Sequence, residues 1–158
     1  MALLVGRHVN KVDKKGRVSV PKSFRDAFHQ QGFSGIYAFP SFKFPAIEAC
    51  GEGFMARLGE SLDDLEMFSD DQDDLASAIL ENAHPLPFDP EGRVVLPKEL
   101  AVYAGIGFQA LFVGRGARMQ IWDPVRYQTH RGQAFASARA RGATLRLRPS
   151  PAIPAEDK

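Results

Sequence analysis

Apolar and polar residues alternate loosely over 3–12, break at Asp13, Lys14, Lys15 and Gly16, and alternate again over 17–20 before Pro21. Period-two alternation of this length marks half-buried strands, and a polar interruption closing on glycine marks a hairpin turn. Asp13 suits the first turn position because its carboxylate accepts nearby backbone N–H groups, and Gly16 supplies the left-handed residue such a loop needs. After Pro21 the period changes: Phe24 and Phe28 stand four apart, on one face of a short helix that Gly32 ends. Runs at 35–39 and, more weakly, 46–50 complete a unit of strand, turn, strand, helix, strand, strand.

Helical spacing takes over in the middle of the chain, where Phe54, Leu58, Leu62, Leu65 and Phe68 share one face. A further helix is expected after Ser69, with Gln72 at capping-box spacing and Asp70, Asp71, Asp73 and Asp74 where a helix dipole favours negative charge. Leu75 and Ile79 then face inward. This accounts for the acidic run without a metal, since no calcium-loop spacing is present.

The first plan then returns. Residues 12–21 read Val-Asp-Lys-Lys-Gly-Arg-Val-Ser-Val-Pro and residues 88–97 read Phe-Asp-Pro-Glu-Gly-Arg-Val-Val-Leu-Pro, each matched pair 76 positions apart, with Lys22 and Lys98 extending the match. Strands at 86–88 and 93–96, a helix at 100–104 closed by Gly105 and Gly107, and strands at 110–114 and 119–122 repeat the unit. Asp123 and Pro124 open a last helix that runs to about Arg141 despite Gly132. The proline-rich tail 149–158 is expected to be disordered. The organisation expected is a unit at 6–52, a helical connector at 53–82, a second unit at 83–126, and a C-terminal helix and tail at 127–158.

Charge changes the picture. The net charge is only +1, but residues 7–25 carry seven basic side chains against Asp13 alone, and residues 115–148 carry eight arginines against Asp123 alone. Between them, residues 48–91 hold thirteen acids and one base, Arg57. Basic ends around an acidic centre suit a nucleic acid or an acidic partner at the ends and repel phosphate in the middle. The one cysteine, Cys50, permits no intrachain disulfide, the apolar start is too short for a signal-peptide core, and no run reaches the roughly 20 apolar residues a spanning helix needs. Cytoplasmic residence without a membrane role is the expectation.

Asp-x-x-Gly-Arg, an apolar triplet and Pro, twice in one chain with an acidic helical segment between, resembles the MraZ family over most of the sequence. The resemblance implies a bacterial transcriptional regulator with two AbrB-like (SpoVT–AbrB) domains, found in the cytoplasm at the nucleoid. The implied fold class is α+β, mainly β: a tandem swapped-hairpin, double-split β-barrel in which the repeats pair as a pseudo-dimer, with flanking helices. A unit of about 50 residues buries too little surface to stand alone, so interlocking two completes a core. The resemblance further implies a ring-like homo-oligomer that binds repeated boxes of double-stranded DNA upstream of its own operon, the cell-division and cell-wall gene cluster. No cofactor, metal or small-molecule substrate is implied.

Carried over by position, the motif residues are Asp13 and Arg17 in the first copy, Asp89 and Arg93 in the second. A guanidinium can grip a phosphate or a guanine edge through two hydrogen bonds. The same arginine equally suits a role in holding the turn against the loop aspartate. The first loop carries Asp13, Lys14, Lys15 and Arg17, net +2, and the second Asp89, Glu91 and Arg93, net −1, so the halves are expected to be unequal toward phosphate. The expected DNA-binding set is therefore Arg17, Lys15 and Lys14, with Arg7 and Lys11 nearby and Arg93 in the second half, while Asp13, Gly16, Asp89 and Gly92 build the turns.

Two other classes compete. An AbrB-like antitoxin or transition-state regulator would use the same barrel, although the duplicated chain and short tail argue against it, and a structural oligomer would use the loops as subunit contacts. An enzyme has little support: His8, His29, His84 and His130 lack metal-ligand spacing, Cys50 has no patterned partner, and no serine sits in a Gly-x-Ser-x-Gly elbow. Trp122 reads as core or interface rather than a base-stacking platform, and the arginines from 131 to 148 could face DNA or a neighbouring subunit.

Overall fold

The computed structural model describes residues 3–149. The chain divides into a unit through Tyr127 and a second from Gln128 onward. The first contains β1 (Arg7–Lys11), β2 (Arg17–Ser19), α1 (Lys22–Asp26), β3 (Gly35–Pro40), β4 (Ile47–Cys50), α2 (Glu52–Asp63), α3 (Asp70–Leu75), β5 (His84–Pro87), β6 (Arg93–Val95), α4 (Lys98–Ala104), β7 (Gln109–Gly114) and β8 (Met119–Trp122). The last helix, α5 (Pro124–Arg141), begins in the first unit.

Strands of the two repeats interleave. A six-stranded antiparallel sheet runs β1-β7-β8-β4-β3-β5, so β1 of the first copy pairs with β7 of the second, and β5 of the second with β3 of the first. The remaining strands, β2 and β6, form a separate two-stranded sheet, Arg17 opposite Val95 and Ser19 opposite Arg93. One core therefore draws on both copies at matching positions: Val18 with Val94, Val20 with Leu96 and Phe24 with Leu100, each 4% exposed or less. Fully burying side chains of this kind contributes roughly 1.5–3 kcal/mol each, which neither copy collects alone.

A smaller cluster of Ala46, Leu111, Val113, Trp122 and Tyr127 lies across the sheet, and a third joins Phe39, Cys50 and Ile79 to Phe54 and Leu58 of α2 and Leu75 of α3. Trp122 is core: its Nε1–H donates to Gln120 Oε1 at 2.9 Å, and Gln120 donates to buried Glu48 at 3.0 Å, which Arg118 also pairs at 3.1 Å. Burial first, then the Glu48 charge, pushes the Cys50 thiol up to about 12, which leaves it inert as a nucleophile.

The connector departs from the single helical face that its spacing predicts. Helix α2 stops at Asp63, Leu65 lies beyond it, and Phe68 is 91% exposed with φ +67. The helical face is broken there because Ser69 starts a new helix, its Oγ accepting the Gln72 N–H at 3.1 Å. Helix α3 continues through a π-helical turn (Ala76–Leu80) that buries Ile79. In α5, Asp123 Oδ2 accepts the Arg126 N–H at 3.0 Å, and the helix continues through Gly132 to Arg141. The tail expected to be disordered falls almost wholly on 150–158, outside the described residues.

Candidate nucleic-acid interface

Each repeat motif folds into the same turn to within tenths of an ångström. In the first, Asp13 N–H donates to Arg17 O at 3.0 Å and Gly16 N–H to Asp13 O at 3.0 Å, with Gly16 at φ +81. Asp13 Oδ1 accepts from the N–H groups of Lys15 at 3.0 Å and Arg17 at 2.8 Å, and Oδ2 accepts from Arg17 Nε at 2.6 Å. In the second, Asp89 N–H donates to Arg93 O at 2.8 Å and Gly92 N–H to Asp89 O at 2.9 Å, Gly92 sits at φ +78, Asp89 Oδ1 accepts the Glu91 and Arg93 N–H groups at 2.9 and 2.8 Å, and Oδ2 accepts from Arg93 Nε at 2.7 Å. This is a type I turn closed by a left-handed glycine, with the carboxylate satisfying N–H groups that face into the loop. The turn-holding role of both arginines is thus visible in the geometry.

Those bonds set the charge state of the loop. The Arg17 backbone N–H, then that residue's side chain and the Lys15 N–H, holds Asp13 below the ordinary aspartate value of 3.8, and the Arg93 and Glu91 groups do the same for Asp89. Both carboxylates are spent on their own turns.

What remains for a ligand differs between copies. Among the described residues, exposed Lys14 and Lys15 make no ion pair, and Arg17 uses only Nε on Asp13, so no hydrogen bond occupies its terminal nitrogens. In the second loop Pro90 and Glu91 replace the two lysines, and Glu91 Oε2 lies 3.5 Å from Arg93 Nη2, so a second carboxylate faces that guanidinium. The Asp89 hydrogen bond raises the Arg93 pKa further above its ordinary value.

The structure does not gather every expected cation at the tip. Along β1, Arg7 and Lys11 are opposite Val113 and Gln109 and share a sheet face with Val9, opposite Leu111, which is the side of the Trp122 and Tyr127 cluster. Arg7 stands at the far end of the strand, about 13 Å from Lys11 at strand rise. His8, on the other face, packs edge-on against Phe24 at 5.3 Å. Among the described residues no group of three or more His, Cys, Asp or Glu side chains is placed to hold a metal ion, and no helix is long and apolar enough to cross a membrane.

Sequence reading missed Arg25. An ideal Cβ on Gly92 would fall 1.7 Å from Arg25 Nη1, so the guanidinium lies over the glycine. The signal was present in the repeat, where Arg25 matches Ala101, 76 positions on.

The family model described as "MraZ protein, putative antitoxin-like" matches residues 79–148. A transcriptional regulator MraZ of Beijerinckia indica is 40% identical over 149 residues, 94% of this chain and 91% of that protein. The proteins of the same name from Rickettsia canadensis and Gluconacetobacter diazotrophicus are each 39% identical, covering 92% and 88% of this chain and 98% and 90% of their own lengths. With a duplicated Asp-x-x-Gly-Arg turn, interleaved repeats and this identity over nearly its whole length, the chain belongs to the MraZ family.

Proposed function

We propose that the protein is a cytoplasmic, nucleoid-associated transcriptional regulator whose first hairpin tip, Lys14, Lys15 and Arg17, binds duplex DNA at repeated boxes upstream of its own operon. The observation that carries this is the unspent charge of that tip: three cations that, among the described residues, include two without an ion pair and a third bound only through Nε, on a loop whose aspartate holds its own turn. The relatives' names as transcriptional regulators support it. Exchange of β1 and β5 between copies and the β2–β6 ribbon support a swapped-hairpin pseudo-dimer of the units 6–52 and 83–126, joined by the connector 53–82. Several protomers closed into a ring would present the tip repeatedly, and one weak contact becomes strong through effective concentration, which reconciles DNA binding with a net charge of +1.

Lys14 and Lys15 supply phosphate contacts, while Arg17 offers its free nitrogens to a phosphate or a guanine edge. Arg7 and Lys11 contribute long-range attraction from the outer sheet face rather than tip contacts. Fluorescence anisotropy on a labelled duplex from the region upstream of the coding sequence, at several salt concentrations, tests this. Binding that weakens with salt and is lost in Arg17→Ala supports the reading, and an unchanged titration for that variant removes Arg17 from the interface.

A further inference from the structure

The second tip is poor in charge by its own sequence, yet the fold lends it a cation. Because β2 and β6 pair antiparallel, Val20 N–H donates to Gly92 O at 3.2 Å and Leu96 N–H to Gly16 O at 2.8 Å. Each tip therefore abuts the strand-to-helix junction of the other repeat, and α1 of the first copy comes to rest beside the second loop. There the copies diverge. The space above Gly92 is filled by Arg25, whereas above Gly16 the nearest groups are Leu96 O at 3.2 Å and Val95 Cγ1 at 3.8 Å, with Ala101 standing where the repeat would place a matching arginine.

Arg25 is left without an anion. Its Nε is buried with no hydrogen-bond partner, and among the described residues its guanidinium makes no ion pair. Asp89 holds its own turn through both oxygens and, among the described residues, makes no ion pair with Arg25, and neither does Asp26, which also lines the groove. A buried donor with no acceptor is costly, and the guanidinium that carries it lines a groove in which an oxyanion would offset its charge. The groove holds about 420 Å³ and is lined by Lys22, Arg25, His29, Phe88, Asp89 and Gly92, so a second cation stands at the same opening. Only the three-residue ribbon separates this opening from the first tip, roughly 10 Å of strand, short beside the ~34 Å of one duplex turn.

We infer that Arg25, laid over Gly92 with Lys22 beside it, receives a backbone phosphate of the duplex held by the first tip, so that the second half contacts DNA through a residue of the first repeat. Resting on the proposed function, this makes Arg25 rather than Arg93 the phosphate ligand of the second tip. Gly92 takes a left-handed backbone conformation, and a Cβ there would also displace the Arg25 guanidinium from its place over the loop.

The test is salt-dependent anisotropy on the full chain, with the upstream duplex and a random duplex of equal length, for Arg25→Gln, Arg25→Lys, Ala101→Arg and Arg17→Ala, and Arg57→Ala as control. Arg25→Gln should lower the slope of log K against log salt by about one per engaged protomer on both duplexes, with the melting temperature preserved. Arg25→Lys should restore the slope, and Ala101→Arg should raise it by about one by giving the first tip the missing arginine. An Arg25→Gln slope equal to the unaltered protein's, while Arg17→Ala loses binding, overturns the inference and leaves the proposed function standing. Absence of DNA binding by the unaltered protein overturns both. A change in sedimentation with an unchanged slope would assign the anion to a carboxylate of another copy and also defeat it.

Discussion

The two hairpin tips are one turn built twice and charged differently. Both close on a left-handed glycine, both lock an aspartate against the arginine four residues on, and their hydrogen bonds agree within 0.2 Å. Yet Lys14 and Lys15 face solvent in one where Pro90 and Glu91 stand in the other. Backbone geometry and ligand chemistry are thus carried by different positions of the same five-residue loop: the aspartate, glycine and arginine Nε hold the turn, and the two intervening residues with the arginine's remaining nitrogens set what it attracts. The duplicated fold keeps one turn architecture while its two tips carry opposite net charge.

The comparison can be broken from either side. The largest effect is expected at the shared glycine, where Gly16→Val must adopt φ +81 with its Cβ 3.2 Å from Leu96 O, at a cost of about 2 kcal/mol or more in denaturant titration. Next, Arg17→Ala should lose about 1–3 kcal/mol of DNA affinity per occupied tip if it reads a base, while Arg93→Ala, already faced by Glu91, should lose less in the same anisotropy assay. Lys15→Ala should lower the salt slope by about one per tip, and Glu91→Lys should raise it.

Last comes pH. Asp13 and Asp89 have folded values below the ordinary 3.8, so each contributes stability that is present above that value and lost as pH falls through the lowered folded one. Melting temperature should therefore drop on acidification through that window in the unaltered protein, and less steeply in Asp13→Asn or Asp89→Asn.

Much of this could be read from the chain because local rules and tertiary packing agree. The turn needs Asp and Gly at fixed positions, Pro21 and Pro97 open their helices with ψ 138, and Val18 and Val94 are buried at 1% where alternation places them. The connector was less legible. Phe68 fits the helical period of Phe54 and Leu58, but the cap at Ser69 starts a new helix one residue later and leaves the ring exposed. Strand partners lie beyond local reading, since nothing within 7–11 says that its neighbour is 109–114. That exchange decides which helix meets which tip, and so hid Arg25 beside Gly92 until the structure joined residues 67 positions apart. Strand length likewise sets Arg7 at the end of β1 away from Lys11.

The central claim, that the tip's two variable residues decide DNA binding on a common turn, is tested most directly by making the first tip a copy of the second. Lys14→Pro with Lys15→Glu keeps Asp13, Gly16 and Arg17 and installs residues the same turn already accommodates at 90 and 91. Footprinting on the upstream region should then show protection by the unaltered protein and none by the exchanged variant, with the two melting at the same temperature. Equal protection by both would contradict the account.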